Sequence, residues 1–239
     1  MNSVCIATYN GEKFIEAQLR SILAQLRADD EVIVSDDGST DRTLDIIASL
    51  RDKRIIVLGN RSHSVKGNFE NALRHAQGET IFLSDQDDVW LDGKYDACIE
   101  ALKTVDLVCT NSKITDENLN IVNENFFSLY HSGRGVLKNA LNNTYYGSCM
   151  AFRRTLLNYA LPFPKTQEIG HDIWLGLVAE ITGTTLFIEK PYLLYRRHSG
   201  TSTQTTSLWR RSKRSIWRKI WSRIVVIYYV CKFRIQYAR

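Results

Sequence analysis

Short apolar runs alternate with helical patterns along the first hundred residues of this 239-residue chain. Four runs have the length and composition of buried strands, and they lie at 4–8, 31–36, 54–60 and 80–85. Apolar residues between and after them recur at helical spacing, which predicts helices near 11–26, 41–50, 66–77 and 93–102. Four rounds of strand and helix indicate parallel strands joined by crossover helices, and therefore an α/β fold.

Polar side chains cluster where three of these strands end. The clusters are Thr8-Tyr9-Asn10, Asp36-Asp37-Gly38-Ser39 and the acidic run from Asp85 to Asp88. The carboxyl ends of the strands of an open α/β sheet form its ligand crevice. We therefore expect the three clusters to face one another, although they are far apart in the sequence.

The pattern becomes less regular after about residue 105. Strand character returns in "DLVCTNSKI" and "YYGSCMAFRR", a helix is predicted over "GHDIWLGLVAEITG", and "TTLFIEKPYLLYRRHSGTS" suggests strand, turn, strand and loop. We predict one Rossmann-like, mainly parallel sheet flanked by helices. This sheet would continue into a subdomain that receives a second ligand.

The net charge of +5 conceals two regions of opposite charge. Residues 1–189 carry a net charge of −8 and residues 190–239 a net charge of +13, with no acidic residue after Glu189. This distribution indicates that the tail meets an anionic partner, such as a membrane surface or nucleic acid. The acidic body and the lack of a nucleic-acid-binding motif argue against nucleic acid.

The basic tail also has an apolar stripe rich in tryptophan. Its apolar residues recur at three- and four-residue steps: Trp209, Ile216, Trp217, Ile220, Trp221, Ile224, Ile227, Tyr228 and Cys231. A basic amphipathic helix of this kind suits the bilayer interface, and we favour that role. The alternative is a helix whose stripe packs on the domain.

The five cysteines are scattered, odd in number and without a CxxC pair, so a disulfide framework is not indicated and a reducing compartment fits best. The N-terminus has neither the basic region nor the long apolar stretch of a signal peptide. No apolar run reaches the 18 residues or so that a transmembrane helix needs.

The stretch "FLSDQDDVW" places three aspartates within four positions. Magnesium and manganese ions prefer oxygen ligands and often take only one or two from protein, with phosphate and water supplying the rest. A solvated loop is the alternative interpretation. The buried strand before the aspartates and the two other polar clusters favour a site for a metal ion and a diphosphate.

The aspartates that end the second strand have two interpretations that stay open from these residues. Asp36 and Asp37 can accept hydrogen bonds from ribose hydroxyls or from a base N–H. They also suit an Asp-Gly turn, with Ser39 or Thr40 capping the next helix. Neither GxGxxG nor GxxxxGK[ST] occurs in the chain, so a dinucleotide fingerprint and a P-loop are excluded.

Four segments, in this order and spacing, carry a resemblance that covers about residues 3–200. They are "IATYNGEKFIEAQLRSILAQ", "VIVSDDGSTDRT", "NFENALRHAQGETIFLSDQDDVW" and "GHDIW". Together they resemble the inverting glycosyltransferases of family 2, which have the GT-A fold. The acidic quartet with "HDxW" resembles bacterial enzymes that build O-antigen or capsule repeat units.

The resemblance implies a division of the chain. Residues 1–104 would form the nucleotide-sugar-binding half of one GT-A domain. Residues 105–206 would form its metal- and acceptor-binding half, and residues 207–239 a basic amphipathic tail that associates with the membrane.

The resemblance also implies roles for individual residues. The residues that would hold the nucleotide sugar are Thr8, Tyr9, Asn10, Glu12, Asp36, Asp37, Lys66, Asn68, Asp85 and Gln86. Asp87 and Asp88, with His198 after the last strand, would hold Mn²⁺ or Mg²⁺. Asp172 matches the catalytic base, although without the resemblance the charge or cap at the start of a helix is the favoured interpretation. The acceptor would meet Trp90, His171 and Trp174.

The resemblance implies a metal-dependent inverting transferase that moves a hexose from a nucleotide sugar, UDP-glucose or UDP-galactose. The acceptor would be GlcNAc or GalNAc on a polyprenyl diphosphate, at the cytoplasmic face of a bacterial plasma membrane. A dTDP-rhamnose-dependent rhamnosyltransferase is the nearest alternative. A third possibility is a protein of the same fold that binds nucleotide without turnover.

Overall fold

The computed structural model describes residues 1–198 and 215–238. Within these ranges, nine strands form one sheet with the order β3-β2-β1-β4-β8-β6-β9-β5, and β7 pairs with β6. The strands are β1 (Asn2–Thr8), β2 (Glu31–Asp36), β3 (Ile55–Gly59), β4 (Thr80–Asp85), β5 (Val89–Trp90), β6 (Leu107–Thr115), β7 (Ile121–Asn123), β8 (Met150–Arg153) and β9 (Thr185–Arg196).

The first half of the sheet has the predicted parallel arrangement. Strands β3, β2, β1 and β4 are parallel neighbours. Strands β2, β1 and β4 are almost entirely buried, whereas β3, at the edge of the sheet, is exposed or half-buried. Strand β8 then pairs antiparallel with β4 and β6, whereas β9 returns parallel to β6. The second half is therefore inserted into the same sheet and does not form a separate core.

Helices cover the sheet, and most of them lie within a few residues of the predicted positions. They are α1 (Ile15–Leu23), α2 (Thr43–Ser49), α3 (Val65–His75), α4 (Lys94–Ala101), α5 (Phe126–Tyr130), α6 (Val136–Leu141), α7 (Leu157–Ala160), α8 (His171–Thr182) and α9 (Ile216–Tyr237). A short 3₁₀ turn at Gly147–Cys149 precedes β8 and becomes important at the site.

Two local predictions are wrong. Neither Ser39 nor Thr40 caps α2, because Ser39 is used by the preceding turn, where its hydroxyl donates to Asp36. Residues 185–196 form one continuous strand, whereas the sequence suggested strand, turn and strand. Within this strand, Pro191 lies at an irregularity in the pairing of β9 with β6, where a missing N–H is tolerated.

The C-terminal helix α9 has two apolar faces. One face is packed on the domain: Val226 and Val230 are buried, and Phe233 and Tyr229 meet the ring of Trp174 on α8 edge-on. The opposite face is exposed and carries Trp217, Ile220, Trp221, Ile224, Tyr228 and Ile235. The alternative prediction, that the apolar stripe packs on the domain, therefore applies to one face of the helix only. Trp209 and the basic residues at 210–214 lie outside the described residues.

Among the described helices, α9 included, none combines the length and the apolar content that crossing a bilayer requires.

Candidate active site

The three polar clusters converge at one edge of the sheet, as their positions at strand ends predicted. Thr8 is paired with Asp36 on one side of β1, and Ala7 with Asp85 on the other. They open onto a cavity of about 470 Å³. Its lining is Ala7, Thr8, Tyr9, Asp37, His63, Ser64, Val65, Asn68, Asp85, Gln86, Asp87, Tyr195, Arg196 and His198.

Gln86 connects the first and third clusters. Its side-chain carbonyl accepts hydrogen bonds from the Thr8 hydroxyl (2.6 Å) and the Tyr9 backbone N–H (2.9 Å). Its amide group donates to the carbonyl of Tyr9 at 3.1 Å. The side chain of Gln86 therefore fixes the floor of the cavity. Because Gln86 belongs to the acidic run, the same hydrogen bonds also fix the aspartates beside it.

The second cluster has divided roles. Asp36 is buried and accepts from the backbone of Gly38 and Ser39, so this carboxylate shapes the turn and does not line the cavity. Asp37 lines the cavity, where its two oxygens accept from the backbone N–H groups of Ser62 (2.7 Å) and Ser64 (3.0 Å).

Asn10 and Glu12 connect loops and do not line the cavity. Asn10 accepts from the Thr40 backbone at 2.8 Å, and Glu12 from the Arg42 backbone at 3.1 Å. Asn68, in contrast, lines the cavity while it donates to the Thr8 carbonyl.

The acidic run folds back so that three carboxylates converge. One oxygen from each of Asp85, Asp87 and Asp88 lies within 4.8 Å of the others. Asp85 accepts from the Ser148 hydroxyl at 2.7 Å, which fixes it to the 3₁₀ turn before β8. Asp87 contacts the Nε2 atom of His198 at 2.8 Å.

Asp88 is the most deeply buried of the three carboxylates. One of its oxygens accepts from the backbone N–H of Arg196 at 2.9 Å. The other, Oδ2, is buried and has no hydrogen-bond partner within the described part of the chain. Burial and the charges of its two neighbours raise the pKa of Asp88 well above its usual range.

These carboxylates fit a divalent cation. Burial, followed by the charge of Asp87, raises the pKa of Asp85 to about 7. Closely spaced oxygens with raised pKa values and an unpartnered buried oxygen form the donor set that Mg²⁺ or Mn²⁺ takes. Asp87 and Asp88 would contribute ligands there, and the imidazole of His198 is adjacent.

A buried lysine lies beneath the acidic run. Lys94, at the start of α4, is fully buried and donates to the carbonyl of Ser148 at 2.5 Å. Its ammonium group lies 4.6 Å from the centre of the Trp90 ring. Burial lowers the pKa of Lys94, and the charge of Asp88 partly opposes this shift. Lys94 therefore holds the turn that orients Ser148 toward Asp85.

Asp172 lies in the first turn of α8, outside the residues that line the cavity. The residue before it, His171, lies beside Gly147, which precedes the partner of Asp85, Ser148. One oxygen of Asp172 accepts from the Ile173 N–H at 2.7 Å, and the other lies 3.4 Å from the side-chain amide of Asn143. This carboxylate has no cationic partner among the described residues, so it remains available as a base.

His171 points into the domain. Its ring stacks on Phe69 at a centroid distance of 4.1 Å, and its buried Nε2 atom has no partner within the described ranges. Burial lowers the pKa of His171, so the ring is neutral at physiological pH. The Nε2 edge of the ring lies beside Gly147, whereas the residue as a whole is half-buried, so its expected contact with the acceptor stays a prediction.

Three further placements correct the sequence predictions. Trp90 is 3% exposed and lies against Phe82, so it cannot offer a face to a sugar. Trp174 is 6% exposed, is covered by α9, and donates to the Ala160 carbonyl at 2.9 Å. Lys66 does not face the nucleotide cavity, because its ammonium group donates to the carbonyls of Pro164, Thr166 and Ile169, ahead of α8.

Sequence reasoning missed several residues of the site, among them Ser148, Lys94, Tyr195 and Arg196. Ser148 and Lys94 belong to the site only because β8 is inserted next to β4. No local pattern signals that pairing. The arginines were visible in "YRRHSG", but the sequence could not show which of them faces the aspartates.

A mainly parallel α/β sheet whose strand ends hold a cavity with an acidic cluster at its wall is the arrangement of an α/β enzyme that binds its ligand at the carboxyl ends of the strands. Residues 3–160 match the description "Glycosyl transferase family 2". The chain belongs to this family, and it is a glycosyltransferase.

Relatives with described activities make bacterial surface polysaccharides. The chain is 29% identical over 233 residues, 95% of this chain and 91% of the relative, to the UDP-Glc:α-D-GlcNAc-diphosphoundecaprenol β-1,3-glucosyltransferase WfaP of Escherichia coli. It is 28% identical over 81% of its length to the dTDP-rhamnosyl transferase RfbG of Shigella flexneri, covering 71% of that protein. Its match to an uncharacterized glycosyltransferase of Nostoc is shorter, with 33% identity over 44% of this chain and about a third (34%) of that protein.

A solved structure confirms the predicted fold class. The TarS fragment 1–349 of Staphylococcus aureus, in complex with UDP-GlcNAc, superposes with a TM-score of 0.70 and 23% identity. The superposition covers 95% of this chain and 66% of that fragment. The α/β architecture flanked by helices, with its C-terminal helix, is therefore the GT-A type.

Proposed function

We propose that this chain transfers a hexose from a UDP-sugar, with inversion, to GlcNAc or GalNAc carried on a polyprenyl diphosphate. The observation that carries the proposal is the acidic run Asp85–Asp88 at the wall of the cavity, together with the carboxylate of Asp172 at the start of α8. The ring of His171, next to Asp172, lies beside Gly147, which precedes the residue that binds Asp85, Ser148. This arrangement suits a donor diphosphate at the acidic run and an acceptor hydroxyl at Asp172.

The chain's own residues would divide the work as follows. Asp37 and Asn68 line the part of the cavity where the nucleoside would bind, and Gln86 fixes its floor. Asp172 would accept the proton of the acceptor hydroxyl, which then attacks the anomeric carbon from the face opposite the nucleotide. A divalent cation held by Asp87 and Asp88 would supply electrostatic stabilisation of the departing diphosphate.

The surroundings of Asp172 support its role as base. Its carboxylate lies in the first turn of α8 and has no salt bridge within the described part of the chain. His171 would contribute by position, because its ring is wedged between Phe69 and Gly147 and holds the first turn of α8 in place.

The donor and acceptor are proposed from WfaP, whose name gives UDP-glucose as donor and GlcNAc-diphosphoundecaprenol as acceptor. The resemblance to RfbG favours a second candidate, transfer of rhamnose from dTDP-rhamnose. Both candidates use a nucleoside diphosphate sugar and the same acidic cluster.

The deciding experiment is transfer by the purified protein with Mn²⁺. UDP-glucose, UDP-galactose and dTDP-rhamnose would be offered with synthetic GlcNAc- and GalNAc-diphospho-lipids. We expect turnover with one donor, a loss of about 10²–10⁴-fold in Asp172→Asn, and unchanged UDP affinity in that variant. Asp87→Ala should lose turnover together with metal affinity. Full activity in Asp172→Asn would contradict the assignment of the base.

We also propose that the exposed face of α9 docks on the anionic inner surface of a plasma membrane, where the acceptor resides. Trp217 is 80% exposed and Trp221 is 59% exposed, on a helix from a segment that carries a net charge of +13. Exposed indoles beside cationic side chains suit the lipid headgroup region.

Sedimentation with vesicles containing about one third anionic lipid tests the docking. We expect the double variant Trp217→Ser, Trp221→Ser to lose vesicle binding without a change in melting temperature, because both indoles point away from the domain. Ile121→Ser, which removes an exposed apolar side chain from β7, is the matched control. Equal binding by the double variant and the control would refute docking through α9.

A further inference from the structure

Four aromatic rings form a cluster beside the donor cavity that the sequence did not predict. The cluster consists of Phe126 and Tyr130 on α5, Tyr146 before the 3₁₀ turn, and Tyr195 on β9. The ring centroids of Phe126 and Tyr146 are 4.4 Å apart, those of Phe126 and Tyr130 4.5 Å, and those of Tyr146 and Tyr195 6.4 Å. Phe126, at the centre of the cluster, is fully buried, whereas Tyr130 and Tyr146 are partly exposed.

The cluster borders the donor cavity. Tyr195 lines the cavity directly. Tyr146 is two residues before Ser148, which holds Asp85. Tyr146 also precedes Gly147, beside which the ring of His171 lies, and Asp172 is the next residue of α8. A group bound against Tyr146 would thus lie near both the donor and the proposed base.

Arg197 gives this cluster its positive charge. Its Nη2 donates to the hydroxyl of Tyr130, and its guanidinium carbon lies 5.9 Å from the centre of that ring. Its Nη1 atom is buried and has no acceptor within the described ranges. No salt bridge of Arg197 occurs there either. A buried cationic N–H without an acceptor is unfavourable until a ligand supplies an oxygen.

Alternation along the extended chain separates Arg197 from the donor site. Arg196 and His198 face the acidic run: the Nε of Arg196 donates to the Asp87 carbonyl at 2.7 Å, and His198 contacts the Asp87 carboxylate. Successive side chains of an extended segment point to opposite sides, so Arg197 points away from the acidic run and toward Tyr130. Arg197 does not line the donor cavity, although both of its neighbours do.

We propose that the aromatic cluster and Arg197 form the acceptor subsite, which binds a pyranose carrying a diphosphate at its reducing end. The sugar would pack against the exposed faces of Tyr130 and Tyr146, with one hydroxyl directed to Asp172. The free N–H of Arg197 would donate to an oxygen of the acceptor's diphosphate. This inference rests on the proposed function, and it replaces Trp90 and Trp174, which are buried, as the residues that meet the acceptor.

The test pairs a change in the protein with a change in the ligand. Two acceptors are compared, a GlcNAc-α-diphospho-lipid and the neutral alkyl α-glycoside of GlcNAc, by affinity for the UDP-loaded protein and by kcat/KM. We expect Arg197→Gln to weaken binding and kcat/KM about 10- to 100-fold for the diphosphate acceptor and by less than about threefold for the glycoside. UDP affinity should be unchanged.

Two other variants guard against an effect of folding or of net charge. Tyr130→Phe keeps the ring but removes the hydroxyl that fixes Arg197, and we expect a smaller loss confined to the diphosphate acceptor. Lys53→Gln removes one exposed positive charge from the turn before β3 and should change neither acceptor. Melting temperatures of all three variants confirm that they fold.

Each outcome separates the subsite from the overall function. The subsite would be overturned if the wild type transfers sugar but Arg197→Gln lowers affinity and kcat/KM equally for both acceptors, or weakens UDP binding instead. The proposed function would then still stand. Selective binding of the diphosphate acceptor that depends on Arg197, without transfer from any donor, would support the subsite and overturn the proposed function.

Discussion

The acidic run should destabilise the metal-free protein at neutral and alkaline pH, and Asp85→Asn should relieve that effect. Asp85 has a pKa of about 7 in the folded chain because of burial and the charge of Asp87, against an ordinary value of 3.8. A carboxyl group with a raised pKa favours the folded state only while it is protonated. Its contribution is therefore complete below about pH 3.8 and is lost as the pH rises through about 7.

The size of the effect follows from this difference in pKa. At about 1.4 kcal/mol for each pH unit, the shift from 3.8 to about 7 corresponds to about 4 kcal/mol at pH 8. Asp85 keeps some contact with the cavity, so solvent screens part of the penalty, and we expect about 2–4 kcal/mol. Asparagine keeps an acceptor for the Ser148 hydroxyl but carries no charge.

Urea unfolding in EDTA at pH 5, 6, 7 and 8 measures this effect. From pH 5 to pH 8 the gap in unfolding free energy between Asp85→Asn and the wild type should increase by about 1–3 kcal/mol, or about 3–10 °C in melting temperature, because part of the loss has already occurred at pH 5. Asp45→Asn, which neutralises an exposed carboxylate on α2, is the matched control and should show no such increase.

Manganese supplies the second half of this test. A saturating ion at about 100 times its Kd should stabilise the wild type at pH 8 by about 2.7 kcal/mol and should stabilise Asp85→Asn much less. A gap that stays constant from pH 5 to pH 8 would refute the reasoning, because uncharged packing differences do not follow the titration of a carboxyl group.

Three further variants test contacts elsewhere in the fold. Gln86→Ala removes the side chain that ties β1 to the acidic run, and we expect a donor KM about tenfold higher with a small change in stability, measured by steady-state kinetics and thermal unfolding. Trp174→Ala should lower the free energy of unfolding in urea by about 3–5 kcal/mol, and it should increase hydrogen exchange in α9, because the indole packs against that helix. Unchanged exchange in α9 would contradict that packing. Gly176→Ala should lower the free energy of unfolding by about 1–3 kcal/mol or more, because a methyl group there would overlap the ring of Tyr145. A melting temperature equal to that of the wild type would contradict this.

The sequence predicted the residues at the strand ends better than their individual tasks. Asp87, Asp88 and Asp85 converge as expected, because a turn after a buried strand forces adjacent carboxylates together. Lys66 and Asp36 were assigned to the nucleotide from their place in a motif, yet both are used to brace loops. A motif fixes which residue types are near a site, whereas their hydrogen bonds depend on loops that come from elsewhere in the chain.

The two tryptophans illustrate the same limit. An indole suits both a sugar platform and a buried core, and spacing alone does not distinguish them. Trp90 is buried because β5 pairs with β9, and Trp174 because α9 covers α8. Both partners lie about 50 or more residues away in the sequence.

The sequence alone determined the alternating α/β order, the polar strand ends and the charged tail, because each depends on local periodicity or composition. Only the tertiary structure decided that β8 enters the sheet beside β4 and brings Ser148 to Asp85. It also decided that α9 divides its apolar surface between the domain and the solvent. Antiparallel insertion and helix docking depend on complementary surfaces far apart along the chain, and no pattern within one segment encodes which distant surface it will meet.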